Sequence, residues 1–203
     1  MKLIKFIIML LVISSMSGLL ISCLSPVKIV PQSSYIINKV PPPIITTHKR
    51  SSILLVLPPA TVPAFNTTQM AYRLSPYQIA YFGENRWAET PAEMLKPLII
   101  QALQNTQHYR GIVTPPYMGS QYDYILTIQI LELIQDFQYK IPLLRITLHA
   151  QLSSPSNRLI KTQQFTIIEP LSAKTPYAGV IAANEATARL LNQLVLFCLK
   201  NTN

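Results

Sequence analysis

Apolar positions recur along this chain with two different periods, and the alternation of those periods outlines the fold. Leu144, Ile146, Leu148, Ala150 and Leu152 alternate with Arg145, Thr147, His149 and Gln151, the period of a strand with one buried and one wet face. Tyr122, Tyr124, Leu126, Ile128 and Ile130 alternate in the same way, and the phase slips at Leu131; a strand to about Phe137 with a bulge there is predicted. Ser153 to Asn157 reads as a turn into an antiparallel partner from Arg158 to Ile168. Ile53 to Leu57 is a short apolar run stopped by Pro58-Pro59, which suggests a strand buried on both faces. Tyr35-Ile36-Ile37 suggests a short first strand. Met70–Leu74 and Gln78–Phe82 read as strands joined through Ser75-Pro76, with Gly83-Glu84-Asn85 as a hairpin turn before Arg86 to Ala88.

Two stretches change to the helical period. Thr90-Pro91-Ala92-Glu93 combines a cap, a proline suited to the first turn and a capping-box glutamate. Met94, Leu95, Leu98, Ala102 and Leu103 then share one face to about Gln107, with Pro97 removing one hydrogen bond. From about Gly179 to Lys200, Val180, Ala183, Thr187, Leu190, Leu191, Leu194 and Phe197 trace a second buried stripe. The expected class is α+β: a mostly antiparallel β-sheet with two longer helices packed on one face.

The first 23 residues fit neither period. Met1 to Lys5 is short and positive, Phe6 to Ile13 is wholly apolar, and Leu20-Ile21-Ser22-Cys23 matches a lipobox. This pattern predicts a lipoprotein signal peptide over 1–22 and lipidation of Cys23, whose thiol takes diacylglycerol and whose new amine is then acylated. No other cofactor is expected. Residues 23–34 read as a lipidated tether and 35–203 as a single domain. Leu24 stands where an Asp would resemble the inner-membrane retention signal, which favours the inner leaflet of the outer membrane, facing the periplasm. An uncleaved membrane helix is the competing reading, but the segment is barely long enough and no stop-transfer charge follows.

The remaining chemistry narrows the function classes by what it lacks. The formal net charge of +9 falls to +7 once Lys2 and Lys5 leave with the signal, and the basic residues are scattered rather than clustered. That is not the footprint of a nucleic-acid binder, and it suits anionic headgroups or an acidic partner. With Cys23 acylated, Cys198 has no disulfide partner and reads as a core residue. His48, His108 and His149 are isolated, without metal-site spacing; His48 and His108 fall in expected loops and His149 on a wet strand face. There is no Walker motif or nucleophile elbow, so neither a catalytic site nor a metal site is expected. Glu185 and Arg189, four apart, are expected to pair on the last helix.

Tyr72 to Trp87 is dense in aromatics. Its residues serve either to pack beneath the first helix, as expected of Tyr81 and Trp87, or to contact a partner. The run Tyr72-Arg73-Leu74-Ser75-Pro76-Tyr77-Gln78-Ile79-Ala80-Tyr81-Phe82, followed by Arg86-Trp87-Ala88-Glu89-Thr90-Pro91-Ala92-Glu93-Met94-Leu95, resembles the ABC-type transport auxiliary lipoproteins, the group related to the PqiC-like components. The Leu-Leu-Val run at 54–56 and the Pro-Ala-Phe-Asn-Thr stretch at 63–67 are similar to that family too, and the likeness is specific between Ile53 and Thr106.

The resemblance implies a non-enzymatic outer-membrane lipoprotein. Its implied partners are a periplasmic MCE-domain protein, a permease and an ATPase, which together move phospholipids or other lipophilic molecules between membranes. It implies lipidated Cys23 directly. Tyr72, Tyr77, Tyr81, Arg86 and Trp87 are the expected partner-binding residues, and a homo-oligomer is compatible with it. The rival readings are a periplasmic lipid-binding carrier, which requires an apolar pocket; an outer-membrane assembly lipoprotein; and a hydrolase, which requires a histidine near a nucleophile in a cleft.

Overall fold

A computed structural model describes residues 3–4, 31–46, 50–116, 119 and 121–202. Cys23 and His48 lie outside the described residues. The chain divides into Met1–Pro31 and Gln32–Asn203, and the second unit carries the fold.

That unit is built around one long strand. In chain order the elements are β1 (Ser33–Tyr35), β2 (Ile53–Val56), β3 (Ala60–Thr61), a 3-10 turn (Pro63–Phe65), β4 (Gln69–Arg73), β5 (Ala80–Trp87), α1 (Pro91–Gln104), β6 (Gly111–Val113), β7 (Tyr124–Asp136), β8 (Leu143–Ser153), β9 (Leu159–Pro170) and α2 (Pro176–Asn201). The strands form one nine-stranded mixed sheet. On one side β7 pairs along its length with antiparallel β8, which pairs in turn with antiparallel β9. On the other side β7 meets β2, β3 and β4 end to end, all parallel to it. Pro58-Pro59 and Pro63 explain the interruptions: proline has no N–H to give a ladder. Leu57 and Val62 donate backbone bonds to Leu126 and Ile130 and keep the chain against β7. β6 extends the sheet beyond β2, and β5 then β1 extend it beyond β4. The class is α+β as expected; the long ladders are antiparallel and the short ones mostly parallel.

The predicted phase slip is a real bulge: the β7–β8 register shifts between Ile130 and Glu132. The slip keeps Leu126, Ile128, Ile130 and Leu133 on one face, where they meet Leu144, Ile146, Leu148, Ala150 and Leu152 of β8. Phe165 and Ile167 of β9 complete the apolar sheet face, and both helices cover it: α1 lies against β3, β6 and β7, and α2 against β8, β9 and α1. Every residue of the two predicted helical stripes is buried. Each fully buried Leu or Ile side chain contributes roughly 1.5–3 kcal/mol, so this layer dominates stability.

The helix starts are set locally. Thr90 N and Oγ1 both donate to Glu93 Oε2, at 2.9 and 2.6 Å, and these bonds hold the Glu93 carboxyl below the usual carboxylate range. α2 begins three residues before the expected Gly179, because Thr175 Oγ1 accepts from Ala178 N and Pro176 fits the first turn. Where α2 crosses β7, a Cβ at Gly179 would lie 2.1 Å from the terminal amide of the buried Gln135 side chain, which would have to move.

Several expectations are corrected. β1 covers Ser33–Tyr35 rather than 35–37, so the strand takes up the last residues of the expected tether. Gly83-Glu84-Asn85 is not a turn, because β5 runs through it. The β4–β5 register jumps between Gln69 and Ala71 and absorbs these residues as an irregularity, which Gln32 and Tyr35 brace by hydrogen bonds to Gly83 O and Asn85 Oδ1. α1 ends at Gln104, not Gln107. Glu185 and Arg189 do not pair with each other: Glu185 meets Lys39 and Arg189 meets Glu169. A partner from another segment is available to each, and an i,i+4 pair on an exposed helix is worth only about 0.2–0.5 kcal/mol.

Candidate functional site

The face of the sheet turned away from the helices carries the polar chemistry. The bulge at Leu131 turns Glu132 onto this face, opposite Thr147 of β8. Two positions on, Ile134 sits opposite Arg145, and at the end of β7 Asp136 sits opposite Arg73 of β4. Four charged side chains from three strands therefore converge. Arg73 Nη2 lies 3.0 Å from Glu132 Oε1 and Arg73 Nε 3.0 Å from Asp136 Oδ2; Arg145 Nε lies 3.7 Å from Glu132 Oε2. The Asp136 carboxylate is 2% exposed, and its Oδ1 accepts from Gln138 N and Nε2. Thr147 and Thr166 hydroxyls lie 3.2 Å apart beside Glu132. The network is balanced in charge, and it ties the β4 and β8 sides of β7 together.

Two open depressions flank the network, of about 480 and 470 Å³. The first has Phe65, Ile79 and Leu131 beside Glu132 and Arg145; the second has Tyr77 and Tyr139 beside Arg73 and Asp136. Phe65, Ala71 and Ile134 form a small apolar cluster under the 3-10 turn on this face.

Strand alternation separates the five aromatic and arginine positions expected to bind a partner. Tyr72 and Trp87 turn to the helix side. Tyr72 is half-buried, with its ring 4.5 Å from that of Phe82 and 5.9 Å from that of Phe137. Trp87 is 2% exposed within the main core, so its role is packing, and it is not available to a partner. Tyr81, Arg86 and the loop residue Tyr77 are exposed. Tyr81 does not pack beneath α1: its hydroxyl donates to Ala64 O at 2.8 Å on the open face. Arg86 Nε donates to Ser34 Oγ at 3.2 Å.

The remaining titratable candidates are internal or isolated. His108 lies in a loop, as expected, and is buried there at 5% exposed, with its ring 4.9 Å from that of Tyr109 and Nδ1 3.5 Å from Thr46 Oγ1. Burial pushes the Tyr109 hydroxyl up, and that hydroxyl bonds Thr202 Oγ1 at 2.9 Å. His149 stands between Gln129 and Gln164 in the sheet. Cys198 is fully buried, and desolvation pushes its thiol up to about 12, so it is an inert core residue. Among the described residues no group of three His, Cys, Asp or Glu could hold a metal ion, and no helix is long and apolar enough to cross a membrane.

Comparison with known proteins decides what kind of chain this is. A family model described as the ABC-type transport auxiliary lipoprotein component matches residues 35–195, most of the sequence and nearly all of the folded unit. The chain belongs to that family. Membership makes it an auxiliary lipoprotein of an ABC-type transport system, and suggests a membrane-anchored place in the cell envelope. No curated protein matches the sequence. Among solved structures, protein XCC0632 from Xanthomonas campestris is similar over 85% of this chain and 96% of its own, at 20% identity and a TM-score of 0.73. The hypothetical protein CT253 from Chlamydia trachomatis is similar over 75% of this chain and 98% of its own, at 10% identity and a TM-score of 0.54. These likenesses establish the fold of the auxiliary lipoprotein and nothing of its partner surface. The exposed part of the family-like segment, Tyr77, Tyr81 and Arg86, was legible as sequence. The network of Arg73, Glu132, Asp136 and Arg145 was not, because only the strand register brings Arg73 and Glu132, 59 positions apart, onto one face.

Proposed function

We propose that this auxiliary lipoprotein is a non-enzymatic docking component, anchored through acylated Cys23 in the inner leaflet of the outer membrane and facing the periplasm. Its partner is the MCE-domain protein of an ABC transport system that moves phospholipids or other lipophilic molecules between the two membranes, with a permease and an ATPase completing the system. The family match over residues 35–195 carries this reading. The lipobox ending at Cys23 supports the anchor. Two or three acyl chains, at ~0.8 kcal/mol per buried methylene, hold such a protein nearly permanently.

The open sheet face is the docking surface in this reading. Tyr81 and Arg86 project from it, and both residue types carry large shares of binding energy at interfaces. A lipid carrier calls for an enclosed apolar pocket. The two depressions on this face are shallow and bordered by four charged side chains, which supports docking over carriage.

Affinity purification of the full chain from membranes in mild detergent tests the proposal. The expected co-purifying species are an MCE-domain protein, a permease and an ATPase. Tyr81→Ser with Arg86→Glu should lower that recovery several-fold without changing the amount of folded lipoprotein. Recovery of the lipoprotein alone, with Cys23 acylated, would contradict docking.

A further inference from the structure

One end of the sheet differs from the other in what it exposes and in what enters there. β4 and β7 run parallel and finish together, with Arg73 beside Asp136. Three connections leave from this end: 74–79 between β4 and β5, 137–142 between β7 and β8, and 171–175 between β9 and α2. They lie close together. Tyr77 and Tyr139 border one depression, and Lys174 Nζ donates to Phe137 O at 3.3 Å. Leu74, Tyr77, Ile79, Tyr139 and Ile141 are all exposed here. Exposed apolar and aromatic groups gathered at one tip mark a contact surface.

The three connections carry charge of one sign, beyond the balanced Arg73–Asp136 pair at the strand ends. The three connections read Leu-Ser-Pro-Tyr-Gln-Ile, Phe-Gln-Tyr-Lys-Ile-Pro and Leu-Ser-Ala-Lys-Thr, with two lysines and no carboxylate. Lys140 and Lys174 are exposed. Tyrosines at the level of the headgroups, aliphatic side chains below them and lysines toward anionic lipid are the composition that settles at a bilayer surface.

The path of the chain selects the same end. β1 runs parallel to β5, with Ser33 opposite Asn85 and Tyr35 opposite Trp87. β5 itself descends from the 74–79 loop, since Ala80 pairs with Tyr72 near the end of β4. The chain therefore enters β1 from the side of that loop, and Gln32 bonds Gly83 O on the way in. Only nine residues separate Cys23 from Ser33, a span of at most about 35 Å when fully extended.

We infer that this tip, formed by the 74–79, 137–142 and 171–175 connections, is a second, non-covalent contact with the bilayer surface that holds the domain upright on its anchor. It rests on the reading of Cys23 as the lipid attachment. Tyr77 then serves the membrane, while Tyr81 and Arg86 on the open face stay clear of it for a partner. Side chains at such a surface sit ~5–10 Å into the boundary of headgroups and acyl chains, within reach of quenchers on the upper acyl carbons.

The test uses the full lipidated chain reconstituted in vesicles of phosphatidylethanolamine and phosphatidylglycerol with brominated acyl chains. Tyr139→Trp reports on the tip, and Ser156→Trp, in the turn at the opposite end of β8, is the reference. The one native tryptophan, Trp87, is buried and gives both variants the same background. The indole introduced at the tip should lose about half its added emission while the reference indole keeps its own. If the chain sediments with the vesicles but the tip indole is no more quenched than the reference, the tip contact is wrong and the anchor stands. A chain that does not sediment with the vesicles overturns the anchor and the tip contact with it. Shielding of the tip indole that appears only when membrane extract supplies a protein partner would make the tip a protein surface and overturn the inference.

Discussion

The two faces of β7 solve opposite problems with the same strand. On one face Leu126, Ile128, Ile130 and Leu133 are sealed beneath two helices. On the other, Glu132 and Asp136 sit under a thin cover of arginines and hydroxyls from β4, β8 and β9. The bulge at Leu131 makes this division possible, because it shifts the alternation by one residue just where the charged positions begin. The helix-covered face holds the fold together, and the open face is stable enough to display side chains without a second layer. Position within the 72–87 segment thus matters less than the face each residue takes.

Substitutions on the two faces should therefore differ sharply. Trp87→Ala opens the helix-side core and should cost about 3–5 kcal/mol in chemical denaturation. Tyr81→Ala, six residues earlier on the open face, should cost less than about 1 kcal/mol. Similar losses for the two would erase the distinction. Next in size, Arg73→Met strips the buried Asp136 of its cation and should cost about 2 kcal/mol, less than for a fully dry pair because Arg73 keeps some solvent contact and Gln138 still bonds the carboxylate. Adding Asp136→Asn should recover part of that loss, and a double-mutant cycle reads the coupling. Strict additivity of the two changes would mean the open face is not held by its network.

Gly179→Ala tests how tightly the helix layer is seated. The added methyl collides with Gln135, which should outweigh the ~1 kcal/mol gain in helix propensity and leave a net loss of about 1 kcal/mol. The same change made in a Gln135→Ala background should cost less. Smallest is the α1 cap, which belongs to neither face. Thr90→Ala should cost about 0.5–1 kcal/mol. Because the folded Glu93 carboxyl is held low by Thr90, its share of stability is present at neutral pH and above the unfolded value. It is lost only as pH falls through the lowered folded value, and Thr90→Ala should weaken that acid dependence.

How much of this was legible depended on whether the cause was local. The α1 start was fully encoded in Thr90-Pro91-Ala92-Glu93, and the β7 bulge in a phase slip at Leu131, because both follow from neighbours in sequence. β3 and β6 carry no period of their own; they are strands only because β7 and β2 lie beside them. Gly83-Glu84-Asn85 has turn-forming residues, yet Gln32 and the parallel β1 strand hold it extended. Arg73, Glu132, Asp136 and Arg145 show no motif spacing at all. Their meeting follows from register between three strands, which periodicity in a single segment does not specify.

Intact-mass measurement of the mature protein extracted from membranes tests the central claim most directly. The account predicts a polypeptide that starts at Cys23 and carries diacylglycerol with a further acyl group on its amine. A chain that keeps residues 1–22, or that begins elsewhere without fatty acid, would contradict it.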